Sequence, residues 1–152
     1  CTPAGIMKML EYYKIDPRGK RAVIIGRRDI VGKPISQLLL KADATVINCH
    51  TKTRDLDFLT HHADIIVVAT GKPNTLTEDM IGNYNVVIID VGINRINGKL
   101  CGDVDFERIS NMLDDDGYIT PVPGGVGPLT IAMLLSNTIQ AFKWQRDGGY
   151  EL

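Results

Sequence analysis

Residues 22–34 read Ala22-Val23-Ile24-Ile25-Gly26-Arg27-Arg28-Asp29-Ile30-Val31-Gly32-Lys33-Pro34, and this stretch decides the fold. Ala22 to Ile25 is a short, unbroken, β-branched run, the pattern of a strand buried on both faces. Gly26 stops it. Residues 26–32 read as a loop and residues 33–41 as a helix. Pro34 falls in the first turn of that helix, where a missing N–H costs little. A strand passing through a glycine turn into a helix is the first half of a βαβ unit.

The same alternation runs outward in both directions. Upstream, Thr2-Pro3 is a helix start, with Thr2 the expected cap. Ile6, Met7, Met9, Leu10 and Tyr13 follow at helical spacing. Asp16-Pro17-Arg18-Gly19 is a turn. Downstream, strands are expected at 45–49, 64–69, 86–90 and 118–120. Helices are expected at 56–62, at 78–81 behind a Thr77 cap, at 106–113 and at 129–144. Residues 94–103 read as a hairpin turning at Asn97-Gly98. Unbroken Val/Ile strands alternating with helices define an α/β fold, Rossmann-like and doubly wound, with a mostly parallel sheet flanked by helices. The expected domain covers residues 1–144, with 145–152 as a frayed tail carrying Gly148-Gly149.

Composition bounds the function. The chain has 152 residues, 44% apolar and 23% charged, enough for one domain with a full core. Its 17 basic and 18 acidic side chains give a net charge of −1, which disfavours a general nucleic-acid or membrane surface. Three cysteines at positions 1, 49 and 101 have no paired spacing, so a reducing compartment is expected rather than a disulfide framework. The longest apolar run, Ile131 to Leu135, is far short of a membrane span. The chain starts at Cys1 without a leader pattern and is read as a piece of a longer protein.

Four motifs carry chemistry. The turn from Gly26 to Gly32 lies where doubly wound folds dock phosphates: glycine admits the ligand and the helix start offers amides. Arg28 occupies the place of the second glycine of the usual G-x-G-x-x-G, so taken alone the pattern fits an ordinary strand-to-helix turn equally well. The second motif is Cys49-His50-Thr51-Lys52-Thr53-Arg54. An NAD site places an acid about 20 residues past the glycines, to hold the ribose 2′-hydroxyl. No acid stands between Asp43 and Asp55. Thr51, Lys52 and Arg27 would suit a 2′-phosphate, which points to NADP. A merely basic, solvated loop is the alternative.

The third motif runs from Thr120 to Thr130, Thr-Pro-Val-Pro-Gly-Gly-Val-Gly-Pro-Leu-Thr. Its three prolines stiffen the chain, and its three glycines admit a flat ligand beside a helix start. The fourth, Asp90-Val91-Gly92-Ile93-Asn94, ends a strand where backbone groups could face a cofactor, or where a plain loop would serve. No metal site is expected. Cys49 and His50 are strand neighbours pointing to opposite faces, and His61-His62 reads as a surface pair. Cys49 reads as a buried strand residue, not a nucleophile.

In this order, these segments resemble the methylenetetrahydrofolate dehydrogenase/cyclohydrolase family, specifically its C-terminal NAD(P)-binding domain. The segments are Cys1-Thr2-Pro3-x-Gly5, Gly26-Arg27 through Val31-Gly32-x-Pro34, Ala44-Thr45-Val46 with His50-x-Lys52-Thr53, Ala63-Asp64-Ile65, Asp90 through Asn94, Gly102-Asp103-Val104, and Thr120 through Pro128. The resemblance implies that hydride passes from 5,10-methylenetetrahydrofolate to NADP, after which water opens the methenyl ring to 10-formyltetrahydrofolate. It implies that Gly26, Arg27 and Arg28 hold phosphate and ribose, with Thr51 at the 2′-phosphate. Val91 and Ile93 would meet the nicotinamide amide through their backbones. Gly124, Gly125, Gly127 and Thr130 would line the nicotinamide–folate junction, the first two on the substrate side. Arg28 departs from the family, which commonly has serine there.

The family's catalytic Tyr-x-x-x-Lys lies in an N-terminal domain and has no match here: four places past Tyr13 stands Pro17, and four past Tyr84 stands Ile88. No catalytic residue is therefore expected in this chain. The tetrahydrofolate substrate would be bound with that missing domain. The resemblance also implies a homodimer, a cytoplasmic location with the mitochondrion open, and a last helix leaning on the missing domain with Leu134, Leu135, Ile139 and Phe142 exposed. Two other readings are a non-catalytic dinucleotide-binding regulatory module and a Rossmann-like methyltransferase. The missing acid after the second strand disfavours the methyltransferase, and the Pro/Gly-rich loop favours the folate enzyme.

Overall fold

Strand residues 22–25, 65–68 and 87–90 are buried at every position. A sheet covered on both faces requires that. In the computed structural model, which describes residues 1–148, the elements follow in chain order. They are α1 (Thr2–Tyr12), β1 (Arg21–Ile25), α2 (Gly32–Lys41), β2 (Thr45–Cys49), α3 (Leu56–His61) and β3 (Ile65–Val68). After a 3-10 turn (Glu78–Met80) come β4 (Val87–Asp90), β5 (Asn94–Ile96), β6 (Lys99–Cys101), α4 (Phe106–Ser110), β7 (Tyr118–Ile119) and α5 (Val126–Arg146).

Five strands form one sheet in the order β2-β1-β3-β4-β7, every pair parallel. One core lies under α1 and α2, where Ile6, Leu10, Ile35 and Leu39 meet Ile24, Ile65 and Ile89. The other lies under α3 and α4, where Ile66, Ile88 and Ile109 meet Leu76 and Ala63. The expected doubly wound architecture is present. The hairpin β5–β6 stands apart, antiparallel, and turns at Asn97 and Gly98 with φ of 49° and 82°. Those angles are what an Asn-Gly hairpin turn needs.

Several local expectations are corrected. Thr2 lies inside α1, with Cys1 at the cap position, and its hydroxyl pairs with the Thr130 hydroxyl at 2.9 Å instead of capping amides. Thr77 donates to the Asp79 carboxylate at 2.6 Å rather than capping, and only a single 3-10 turn forms. α4 stops at Ser110, because the Met112 N–H turns back to the Ile109 carbonyl. α5 begins at Val126, three residues before the expected start, so Gly127 and Pro128 sit in its first turn, where proline is tolerated. Gln145 and Arg146 continue α5 instead of opening the tail; residues 149–152 lie outside the described residues. As expected, α5 is exposed beyond its base, with Leu134, Leu135, Ile139 and Phe142 each more than half accessible. No described helix is long and apolar enough to cross a membrane.

Candidate cofactor-binding site

The order in which strands are added to the sheet reverses beside β1, which has β2 on one side and β3 on the other. The crevice at the carboxyl ends of such strands is where doubly wound folds take ligands. Gly26 leaves β1 with φ of 126°, and a Cβ there would run into the Ala69 carbonyl at the end of β3. Gly32 opens α2 against the Gly26 carbonyl, again with no room for a Cβ. These two glycines fold the turn tightly and bring its backbone to the crevice mouth. No side chain caps the start of α2. Arg27 and Arg28 are exposed and make no ion pair among the described residues, whereas Asp29 is held at 2.6 Å by Lys33. That contact lowers the Asp29 carboxyl below its ordinary value.

The turn after β2 lies alongside. Ile25 pairs with Cys49, and the Gly26 N–H donates to the Cys49 carbonyl at 3.0 Å. Inside this turn the His50 N–H donates to Thr53 Oγ1 at 2.8 Å, and the Lys52 N–H donates to His50 Nδ1 at 3.1 Å. His50 and Thr53 thus shape the turn and leave Thr51 and Lys52 outward and exposed. Register brings Gly26, Arg27, Arg28, Thr51 and Lys52 to one rim. Cys49 is fully buried, and burial pushes its thiol up from its ordinary value, so it is no nucleophile. His61 and His62 close α3 by bonding the Asp57 and Phe58 carbonyls.

A second cluster forms around the start of α5. A cleft of about 540 Å³ is lined by Val91, Ile93, Gly124, Gly125, Gly127 and Thr130, the six positions expected to face nicotinamide and folate. Gly124 has φ of 105°, and Gly125 packs against the Pro121 carbonyl, so both positions exclude a side chain. The Val122–Pro123 peptide is cis. A larger cavity of about 960 Å³ lies on the sheet face between α1 and β7, among Leu10, Ile89 and Tyr118. It lies away from the turns at the carboxyl ends of β1 and β2, whereas the smaller cleft opens at the strand ends where doubly wound folds take ligands.

Two residues with a structural role at the rim went unassigned in the sequence, although both fall in segments that carry the resemblance. Asp90 and Asp103 are 2% and 0% accessible. Asp90 accepts from the amides of Gly92, Asp103 and Val104 at 2.9–3.0 Å. Asp103 accepts from the Thr70 and Gly71 amides at 2.7 and 2.8 Å, from the Thr70 hydroxyl, and from Asn94 Nδ2 at 2.8 Å. Burial pushes the Asp90 carboxyl above its ordinary value, against the pull of its three amides, and the neighbouring Asp103 adds to the push. An aspartate close to a glycine, in Asp90-Val91-Gly92 and in Gly102-Asp103, was the visible signal; only the tertiary structure brings the two together. Both oxygens of each carboxylate are engaged by these donors, and both side chains are buried.

A glycine-walled crevice at a parallel sheet's switch point, with exposed cations on one flank and an apolar cleft on the other, defines a dinucleotide-binding α/β domain. Residues 1–146 match the model of the tetrahydrofolate dehydrogenase/cyclohydrolase NAD(P)-binding domain, and the chain belongs to that family. It is 60% identical over 142 residues to the bifunctional protein FolD of Burkholderia thailandensis, an alignment covering 93% of this chain and 48% of that protein. The crystal structure of the Campylobacter jejuni bifunctional methylenetetrahydrofolate dehydrogenase/cyclohydrolase superposes with a TM-score of 0.90 at 55% identity, over 95% of this chain and 50% of that one. The Trypanosoma brucei dehydrogenase-cyclohydrolase, solved with NADP cofactor and inhibitor, superposes at 0.85 with 38% identity, over 95% and 50%. The chain spans about half the length of the relatives it matches.

Proposed function

We propose that this chain is the cofactor half of a bifunctional 5,10-methylenetetrahydrofolate dehydrogenase and 5,10-methenyltetrahydrofolate cyclohydrolase, and that it takes NADP in preference to NAD. The observation that carries the reading is the shared rim of Gly26, Arg27, Arg28, Thr51 and Lys52. There, Gly26 folds the turn tightly at the crevice mouth, and hydroxyl and cationic groups replace the acid that a ribose 2′-hydroxyl would require. Bound NADP would supply the hydride acceptor. The chain's own residues bind and orient it: the rim takes the adenosine and its 2′-phosphate, and the backbones of Val91 and Ile93 take the nicotinamide amide. Gly124, Gly125, Gly127 and Thr130 form the floor on which tetrahydrofolate meets it. The 540 Å³ cleft at the strand ends and the open space beside Gly124 and Gly127 support that placement.

Proton transfer in both reactions falls to residues outside this chain, because its 152 residues hold no Tyr-x-x-x-Lys and its two buried aspartates are engaged. The exposed apolar length of α5 supports docking of a tetrahydrofolate-binding domain on that helix. Homodimerisation and a cytosolic location complete the reading, the latter supported by three cysteines that are all free thiols. Calorimetric titration of the chain with NADP and with NAD tests the cofactor assignment. NADP is expected to bind at least tenfold more tightly, a difference of about 1.4 kcal/mol. Equal affinities would overturn it. The chain alone is expected to turn over methylenetetrahydrofolate negligibly, and turnover at full enzyme rates would refute the division of labour.

A further inference from the structure

Asp90 and Asp103 interlock. A Cβ on Gly102 would fall on the Asp90 carboxylate, and a Cβ on Gly92 would fall on the Asp103 carboxylate. Each aspartate therefore sits on the glycine of the other's segment. Strands β3 and β4 are paired neighbours, Val68 beside Asp90, so their end turns leave the sheet side by side. Asp103 returns from the hairpin and enters between them. One of its oxygens takes the Thr70 and Gly71 amides at the end of β3, and the other takes Asn94 at the root of the hairpin. Asp90 in turn fixes Asp103 and Val104 by their amides and bends residue 92 back on itself.

The rest of the sheet does without such a device: the turn after β1 is closed by backbone contacts. Burying two charges is costly unless each is fully bonded, and replacing such groups with apolar ones is often neutral or stabilising. Stability alone therefore does not account for them. Resting on the reading of the crevice as an NADP site, we propose that Asp90 and Asp103 are positioning residues for the nicotinamide half of the cofactor. They fix the gap between the Thr70-Gly71 turn and the Val91-Gly92-Ile93 turn. Val91 and Ile93, which line the cleft, are held at that gap by the carboxylates behind them.

Adenosine 2′,5′-bisphosphate separates this role from a general structural one, because it fills only the rim of Arg27, Arg28, Thr51 and Lys52. In Asp103→Asn the amide nitrogen would face Asn94 Nδ2 or the Thr70 and Gly71 amides, donor against donor. NADP affinity is expected to fall about tenfold, as loss of one charge-assisted contact implies. Bisphosphate affinity is expected to stay within about twofold. Asn94→Ala, which leaves the β3 contacts intact, should fold normally and weaken NADP about threefold with no change for bisphosphate. Equal weakening of both ligands, or unchanged NADP binding in the folded Asn94→Ala chain, would overturn the proposal. Failure of the unsubstituted chain to bind either ligand would instead overturn the NADP reading on which it stands.

Discussion

On the β1–β2 side of the crevice, the rim is made of a turn closed by backbone contacts and a turn shaped by the neutral side chains of His50 and Thr53, both crowned by exposed cations. On the β3–β4 side it is made of turns pinned from behind by two buried carboxylates. The first side is open and charged, suited to attract an anion from solution and to let it settle. The second is buried and hydrogen-bonded, suited to hold the nicotinamide ring at a fixed distance. A dinucleotide needs both, because its phosphates tolerate play and its reacting ring does not.

The harshest way to break the first side is through its glycines. Gly32→Ala puts a methyl into the Gly26 carbonyl, backbone against backbone, where nothing yields. It is expected to cost about 3 kcal/mol of stability and to abolish NADP binding, read by urea unfolding and calorimetry. Gly71→Ala is the control. Its φ is 71° but nothing lies within 4 Å of a Cβ, so the cost should be about 1 kcal/mol.

A milder test addresses the second side through pH. Asp90 has its carboxyl raised in the folded chain, so the folded state holds a proton that the unfolded state has lost across the window above the ordinary value of about 3.9. There the unfolded state binds fewer protons, and stability falls as pH rises. The effect is absent below the unfolded value and complete above the folded one. Asp90→Asn cannot titrate at this position. The stability of the unsubstituted chain relative to Asp90→Asn should therefore shrink as pH rises through that window, measured by parallel thermal melts. A difference independent of pH would show that Asp90 titrates normally.

The smallest expected effect belongs to the exposed cations. Lys52→Ala should weaken NADP about fivefold at low salt while leaving NAD unchanged, and Arg28→Ser should weaken both about fivefold. The loss should fade as salt rises, because the side chains are solvent-facing.

The two sides also differed in how far the sequence revealed them. Ile24, Ile66 and Ile88 lie in unbroken apolar runs, so the strands and the parallel sheet followed from local pattern, whereas the strand order that sets the switch point did not. The rim residues followed because Gly26, Thr51 and Lys52 each stand just past a strand. The carboxylate lock did not, since Asp90 and Asp103 are thirteen residues apart and their partner Thr70 is more distant still. A charged residue at a strand end ordinarily implies solvent, and only the closed hairpin buries these two. The start of α5 was misplaced for a related reason: Pro128 reads as a break, yet it sits in a first turn where it is tolerated.

The most direct test is to follow backbone amide resonances of the chain during titration with NADP. The account predicts that Gly26, Arg27, Arg28, Thr51 and Lys52 shift together with Val91 and Ile93, tracing one ligand across both sides of the crevice. Shifts confined to the 960 Å³ cavity between α1 and β7, or no saturable shifts at the β1 and β2 turns, would contradict it.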